Sequence, residues 1–141
     1  MKYVKHQKAI IKCFLLIMVL AVMFVSGNCV KFIVSVRYTL TESKNAEFAL
    51  RLLAYDYYSR DQYIYNPLAP DGLTEGVAER VREMSGAEGT IILGSWDAAR
   101  QAPRSFTYIK DKFVVVYNYD EEEESRWKLC YQFREAAKPD W

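Results

Sequence analysis

Histidine is almost missing from this chain. The only one is His6, in a short basic stretch at the N-terminus. The remainder therefore has no Ser-His-Asp triad, no Cys-His dyad and no histidine metal site. Cysteine is sparse as well: Cys13 falls in an apolar run, and Cys29 with Cys130 is too small a set for zinc. Glycine gathers only at Ser85-Gly86-Ala87-Glu88-Gly89. That segment follows an expected helix, whereas a dinucleotide-binding loop follows a strand and opens a helix, so it reads as a helix stop and a turn. The acidic run Glu121–Glu124 lacks the Asp/Asn and Gly spacing of a calcium loop and reads as a solvated hairpin tip. Nothing positions a carboxylate pair for glycoside hydrolysis. These absences lead to the expectation of a protein that is not an enzyme, with no cofactor and no metal.

Charge is absent from one long stretch. Residues 1–12 carry Lys2, Lys5, Lys8 and Lys12 and no acid, and residues 13–30 carry no charge at all. Fifteen of those eighteen residues are apolar, with Ser26, Gly27 and Asn28 as the exceptions. Eighteen helical residues rise about 27 Å, close to the ~30 Å of a hydrocarbon core. The run fits a retained membrane anchor. It also fits a signal peptide cut at Val25-Ser26-Gly27. Under either reading the basic end stays cytoplasmic and the following domain is extracytoplasmic, secreted or periplasmic if the leader is cut. The expected division is 1–30 as signal peptide or anchor and 31–141 as an extracytoplasmic domain.

The whole chain is formally +1, but residues 28–141 hold fifteen basic and eighteen acidic residues. The basic excess belongs to the leader, so no nucleic-acid footprint is expected. In an oxidising compartment Cys29 and Cys130 are candidates for a disulfide.

Local patterns give an α+β domain. From Val30 to Leu40, Phe32, Val34, Val36, Tyr38 and Leu40 alternate with Lys31, Ile33, Ser35, Arg37 and Thr39, a strand-like period of two; the rival is a membrane helix that runs straight on. Ser43–Tyr58 reads as a helix with Phe48, Ala49, Leu52 and Tyr55 as its apolar stripe and Glu47–Arg51 as an i,i+4 pair. Asn66-Pro67 and Pro70-Asp71-Gly72 mark a loop. A second helix is expected from Thr74, as N-cap, to Ser85, with Val77, Val81 and Met84 inward and Gly86 as its stop. Strands follow at about 89–96, 105–109 and 113–119, with a hairpin at Lys110-Asp111-Lys112. A last strand over 126–134 turns Trp127, Leu129, Tyr131 and Phe133 inward and Arg126, Lys128, Cys130, Gln132 and Arg134 outward. Two helices packed on an antiparallel sheet of three to five strands, behind an N-terminal hydrophobic helix, is the expected architecture.

Tyrosine is abundant, with eleven in all. Five crowd into residues 55–65: Tyr55, Tyr57, Tyr58, Tyr63 and Tyr65. Tyrosine offers large area, a polar tip and little entropy loss, which suits a contact surface. Tyr57, Tyr58, Tyr63 and Tyr65 are the candidate binding residues, with Tyr55 expected in the core. Function then divides three ways. One reading is a non-catalytic membrane-anchored or secreted protein working through contacts with an envelope partner. A second is a module binding a glycan or small ligand with the same tyrosines, which requires a concave aromatic pocket. The third is a carboxylate hydrolase.

An apolar N-terminal helix, a short helical region and then an antiparallel sheet is a layout that resembles pilin-like surface-appendage proteins. The resemblance covers the whole chain at the level of architecture and implies an appendage subunit. It also implies that the first helix continues past Lys31 toward Tyr58, without a strand at 30–40. The motif differs: Lys8-Ala9-Ile10 stands where such proteins have a Gly-hydrophobic processing site, and the apolar run from Cys13 to Val25 has no acid.

Overall fold

Helix α1 (Lys2–Tyr58) runs for 57 residues without a break. The computed structural model describes residues 2–132, and side chains from residue 11 onward. After α1 come α2 (Val77–Ser85), β1 (Thr90–Asp97), β2 (Ala102–Lys110), β3 (Phe113–Asn118), a single 3₁₀ turn at Glu123–Ser125 and β4 (Trp127–Tyr131). The strands pair antiparallel in the order β1-β2-β3-β4. The fold is therefore α+β, with an apolar N-terminal helix, a second short helix and a four-stranded meander. The chain divides into two compact units at Ser35/Val36.

The strand expected at 30–40 does not exist; the segment is helical throughout. The reason is local. Between Gly27 and Pro67 there is neither glycine nor proline, and once a helix is nucleated each further residue adds a hydrogen bond at little cost. Gly27 alone costs about 1 kcal/mol, too little to end it. The hydroxyls close back on the same helix: Ser26 on Met23, Thr41 on Arg37 and Ser43 on Leu40, each to a backbone carbonyl. Beta-branched residues alternate here by composition, and the backbone does not follow their alternation.

Around residues 11–35 α1 is exposed on every side. It is long and apolar enough to cross a membrane, and its most apolar 18-residue window is 0 % buried. In the second unit the same helix gains an inner face. Thr39, Glu42, Ser43, Ala46, Glu47, Ala49, Leu50, Leu53 and Ala54 are buried, at the three- and four-residue spacing of one helix side. This corrects the expected stripe. Phe48, Leu52 and Tyr55 face outward, and Ala49 alone of the expected set is buried.

The inner face meets Phe106, Tyr108, Val115 and Tyr117 from the middle strands, Ile91 and Leu93 from β1, and Val77 and Val81 from α2. Strand β3 alternates buried and half-buried along its whole length, as a sheet covered on one face must. Lys110 pairs with Phe113, so the β2–β3 turn is the two residues Asp111-Lys112, with Asp111 at φ 52°. On β4, Trp127 and Leu129 pack on the core and Cys130 is exposed. Tyr131 is exposed too, its ring 5.4 Å from Phe113. Phe133 and Arg134 lie outside the described residues.

Helix α2 begins at Val77, after Gly76 at φ 80°, so Thr74 is not its cap. Met84 faces outward, while Val77 and Val81 are buried. Gly86, at φ 68°, ends the helix and its N–H reaches the Arg82 carbonyl. Residues 85–89 form a helix stop leading into β1, and Gly89 gives its N–H to the Tyr108 hydroxyl at 2.8 Å.

Candidate functional site

Three features of the second unit are candidates: a tyrosine cleft, the outward face of α1, and a buried charge cluster that ties α1 to the sheet.

The cleft forms where α1 ends. Asp61 takes φ 56° and the chain turns back beneath Tyr57, with the Gln62 N–H on the Tyr57 carbonyl at 2.9 Å. Residues 63–74 then make a hairpin-like loop. Tyr65 bridges Leu73, the Thr74 N–H meets the Ile64 carbonyl at 2.8 Å, and the Thr74 hydroxyl donates to the Tyr63 carbonyl at 2.6 Å. The loop is pinned to β1 by the Leu93 N–H on the Asp71 carbonyl at 2.7 Å. Gly72, at φ 70°, makes that approach feasible, since a Cβ there would sit 1.9 Å from the Leu93 oxygen.

The result is an open cleft of ≈ 580 Å³. Tyr57, Tyr63 and Tyr65 supply its aromatic walls, and Gln62, Asn66, Thr74 and Glu75 its polar edge. Of the four candidate tyrosines, Tyr58 is not a wall. It packs edge-on against Tyr63, with ring centroids 5.4 Å apart, and steadies that ring. The Tyr65 hydroxyl donates to the Gly94 carbonyl at 3.3 Å. Tyr55 is 77 % exposed and belongs to another face. Sequence reasoning missed Gln62, Asn66, Thr74 and Glu75. The last two come from the far arm of the loop, and only Pro70-Asp71-Gly72, a turn signal, hints that the arm folds back.

The outward face of α1 carries Phe48, Leu52 and Tyr55, on the side opposite the buried one at about 100° per residue. Beside them Met84 of α2 completes an apolar groove of ≈ 230 Å³, edged by Asn45 and Ser85.

Under the helix, Glu42 is buried and bound on both oxygens. Tyr108 donates to one at 3.0 Å, and the Lys110 ammonium reaches both at 2.9 Å. Lys110 also meets Glu88 at 3.0 Å. Burial pushes the Tyr108 phenol up to about 12, with its bond to Glu42 adding to the effect. Burial alone would lower the Lys110 pKa, but the bonds to Glu42 and Glu88 outweigh it and hold it above its usual value. Glu47, on the same helix side, is raised by burial against the opposing pull of Arg51. Glu42, Tyr108, Lys110 and Glu88 are engaged with one another, an arrangement that holds α1 to the sheet, and Glu47 is engaged with Arg51.

Cys13, Cys29 and Cys130 are free thiols. The bridge considered between Cys29 and Cys130 is not formed, and Cys29 lies in α1 rather than in a strand beside β4. In the acidic run, Glu121 pairs with Lys128 while Glu122, Glu123 and Glu124 face solvent.

No protein-family model, curated protein or solved structure matches this chain.

Proposed function

We propose that this chain is a non-catalytic, single-pass envelope protein that works through protein contacts, as a pilin-like subunit associating with other copies of itself. The four leader lysines keep the N-terminus cytoplasmic and set the second unit outside the membrane. The observation that carries the reading is the outward face of α1. A helix packed against a sheet on one side ordinarily shows polar residues on the other. Here Phe48, Leu52 and Tyr55 stand there instead, next to Met84. Three large apolar side chains left exposed beside Met84 are suited to being covered by a partner, since exposed apolar surface marks contact sites.

The uninterrupted course of α1 past Lys31 to Tyr58 supports the pilin-like form of this reading. A strand at 30–40 would have been incompatible with it. The processing glycine of that family is replaced by Lys8-Ala9-Ile10, so no pilin-type cut is expected there, and in this reading the apolar segment serves as the anchor.

Two differently tagged full-length copies, coexpressed and extracted from the native membrane in mild detergent, test the proposal. They should copurify, and the double substitution F48S/L52S should abolish copurification while the protein stays folded by circular dichroism. Copies that do not copurify, or that copurify regardless of the substitutions, would contradict it.

A further inference from the structure

We propose that the tyrosine cleft is a binding site for an uncharged glycan of about two or three sugar units. This goes beyond the association of copies through α1 and rests on different residues. The volume of ≈ 580 Å³ falls within the usual range for ligand sites and exceeds what a single monosaccharide needs.

The chemistry of the walls selects the ligand class. The apolar surface lining the cleft is aromatic; no Leu, Ile or Val contributes. An aliphatic side chain or a lipid tail would find no aliphatic pocket. Ring faces are electron-rich and accept the weakly positive C–H faces of a pyranose. The polar edge is made of groups that both give and accept, or accept alone. The Gln62 side-chain amide bonds to no described residue, and the Asn66 side-chain oxygen accepts from the Leu68 N–H while its NH₂ is left for a ligand. Glu75 offers a carboxylate to paired hydroxyls. Alternating C–H faces and hydroxyl edges is the pattern of a sugar.

Charge narrows the class. Neither lysine nor arginine lines the cleft, and Glu75 is its one carboxylic acid. A uronate, sialate or phosphate would meet a carboxylate and no cation, so the cleft favours neutral sugars. Strand addition by a peptide is disfavoured too, because the loop backbone that faces the cleft is already paired through Tyr65–Leu73 and Thr74–Ile64.

The site is also built before any ligand arrives. Tyr63 is braced by Tyr58, Tyr65 by Gly94, and the loop by its bond to β1. Such preorganisation lowers the entropy cost of binding.

The test uses the full chain in lipid nanodiscs, since a maltoside detergent would itself offer a sugar. Titration calorimetry with maltotriose, cellotriose and chitotriose, and with trigalacturonate as the anionic probe, should find at least one neutral trisaccharide bound with Kd on the order of 1 mM or tighter. Trigalacturonate should bind at least about tenfold more weakly, and Y63A or Q62A should each weaken the neutral ligand by about tenfold. Both residues are exposed, so folding should be preserved, and copurification of tagged copies should be unchanged in either variant. Failure of all three neutral sugars to bind, preference for trigalacturonate, or binding indifferent to both variants would overturn the proposal.

Discussion

The phenol of Tyr108 on β2 donates a 3.0 Å hydrogen bond to the carboxylate of Glu42 on α1, across 66 positions of sequence. The same oxygen accepts the Gly89 N–H at 2.8 Å. One hydroxyl thus joins the long helix, the entry to β1 and the centre of the sheet.

Removing that hydroxyl in Tyr108→Phe leaves a buried N–H without an acceptor and takes one donor from a buried carboxylate. The cost should be about 1–3 kcal/mol. Chemical denaturation of the second unit, followed by tryptophan fluorescence, should show the midpoint falling with little change in slope.

The same cluster sets an alkaline limit. Both Tyr108 and Lys110 have folded pKa values above their ordinary ones, Tyr108 at about 12. A group raised in this way contributes stability fully below its unfolded pKa and loses it as pH climbs through the folded value. Stability should therefore hold to about pH 10 and fall between about pH 10 and 12. Denaturation midpoints measured across that window should decline, and the decline should be shallower in Tyr108→Phe, which has no phenol to ionise.

Glu47 has the opposite meaning for neutral pH. Burial raises its pKa, so the folded state disfavours the carboxylate even with Arg51 beside it. The penalty is absent below its unfolded pKa, near 4.5, and grows as pH rises through the folded value. Glu47→Gln should accordingly raise, or at least not lower, the melting temperature at neutral pH, and the difference from the parent should vanish in acid. Arg51 is 41 % exposed, so losing its partner leaves no buried unpaired charge behind.

Gly72→Ala should be severe for a surface loop. The added Cβ would meet the Leu93 carbonyl at 1.9 Å, in a backbone conformation that alanine resists. The loop must leave β1, at a cost of about 2–4 kcal/mol or by opening locally. Limited proteolysis should show new cleavage at residues 62–75, and neutral-sugar binding should be lost together with the cleft.

Much of this fold is legible in the sequence, and the misses have physical causes. The turn chemistry of Gly86 and the alternation in β3 carry their own signals. The period of two at 30–40 does not, because beta-branched residues in an apolar helix produce it as readily as a strand does. The inner face of α1 is hidden for a different reason. Apart from Leu50 and Leu53 it is built from small or polar residues, among them Glu42, Ser43, Ala46, Ala49 and Ala54. Large apolar residues attract the eye, yet Phe48, Leu52 and Tyr55 point away. Glu42 is tolerable inside only because Tyr108 and Lys110 reach it, and nothing local in the sequence announces that pairing. The cleft is half legible. Tyr57, Tyr63 and Tyr65 are close in sequence, while Thr74 and Glu75 arrive through a loop whose folding back depends on bonds to Ile64 and β1.

The contact role of α1 is tested most directly by disulfide cross-linking between two tagged copies in the native membrane. In a background with Cys13, Cys29 and Cys130 replaced by serine, single cysteines at Leu52 or Phe48 should link the copies under mild oxidation, and one at the buried Leu50 should not. Cross-linking that is absent at Leu52 and Phe48, or equal at Leu50, would contradict the account.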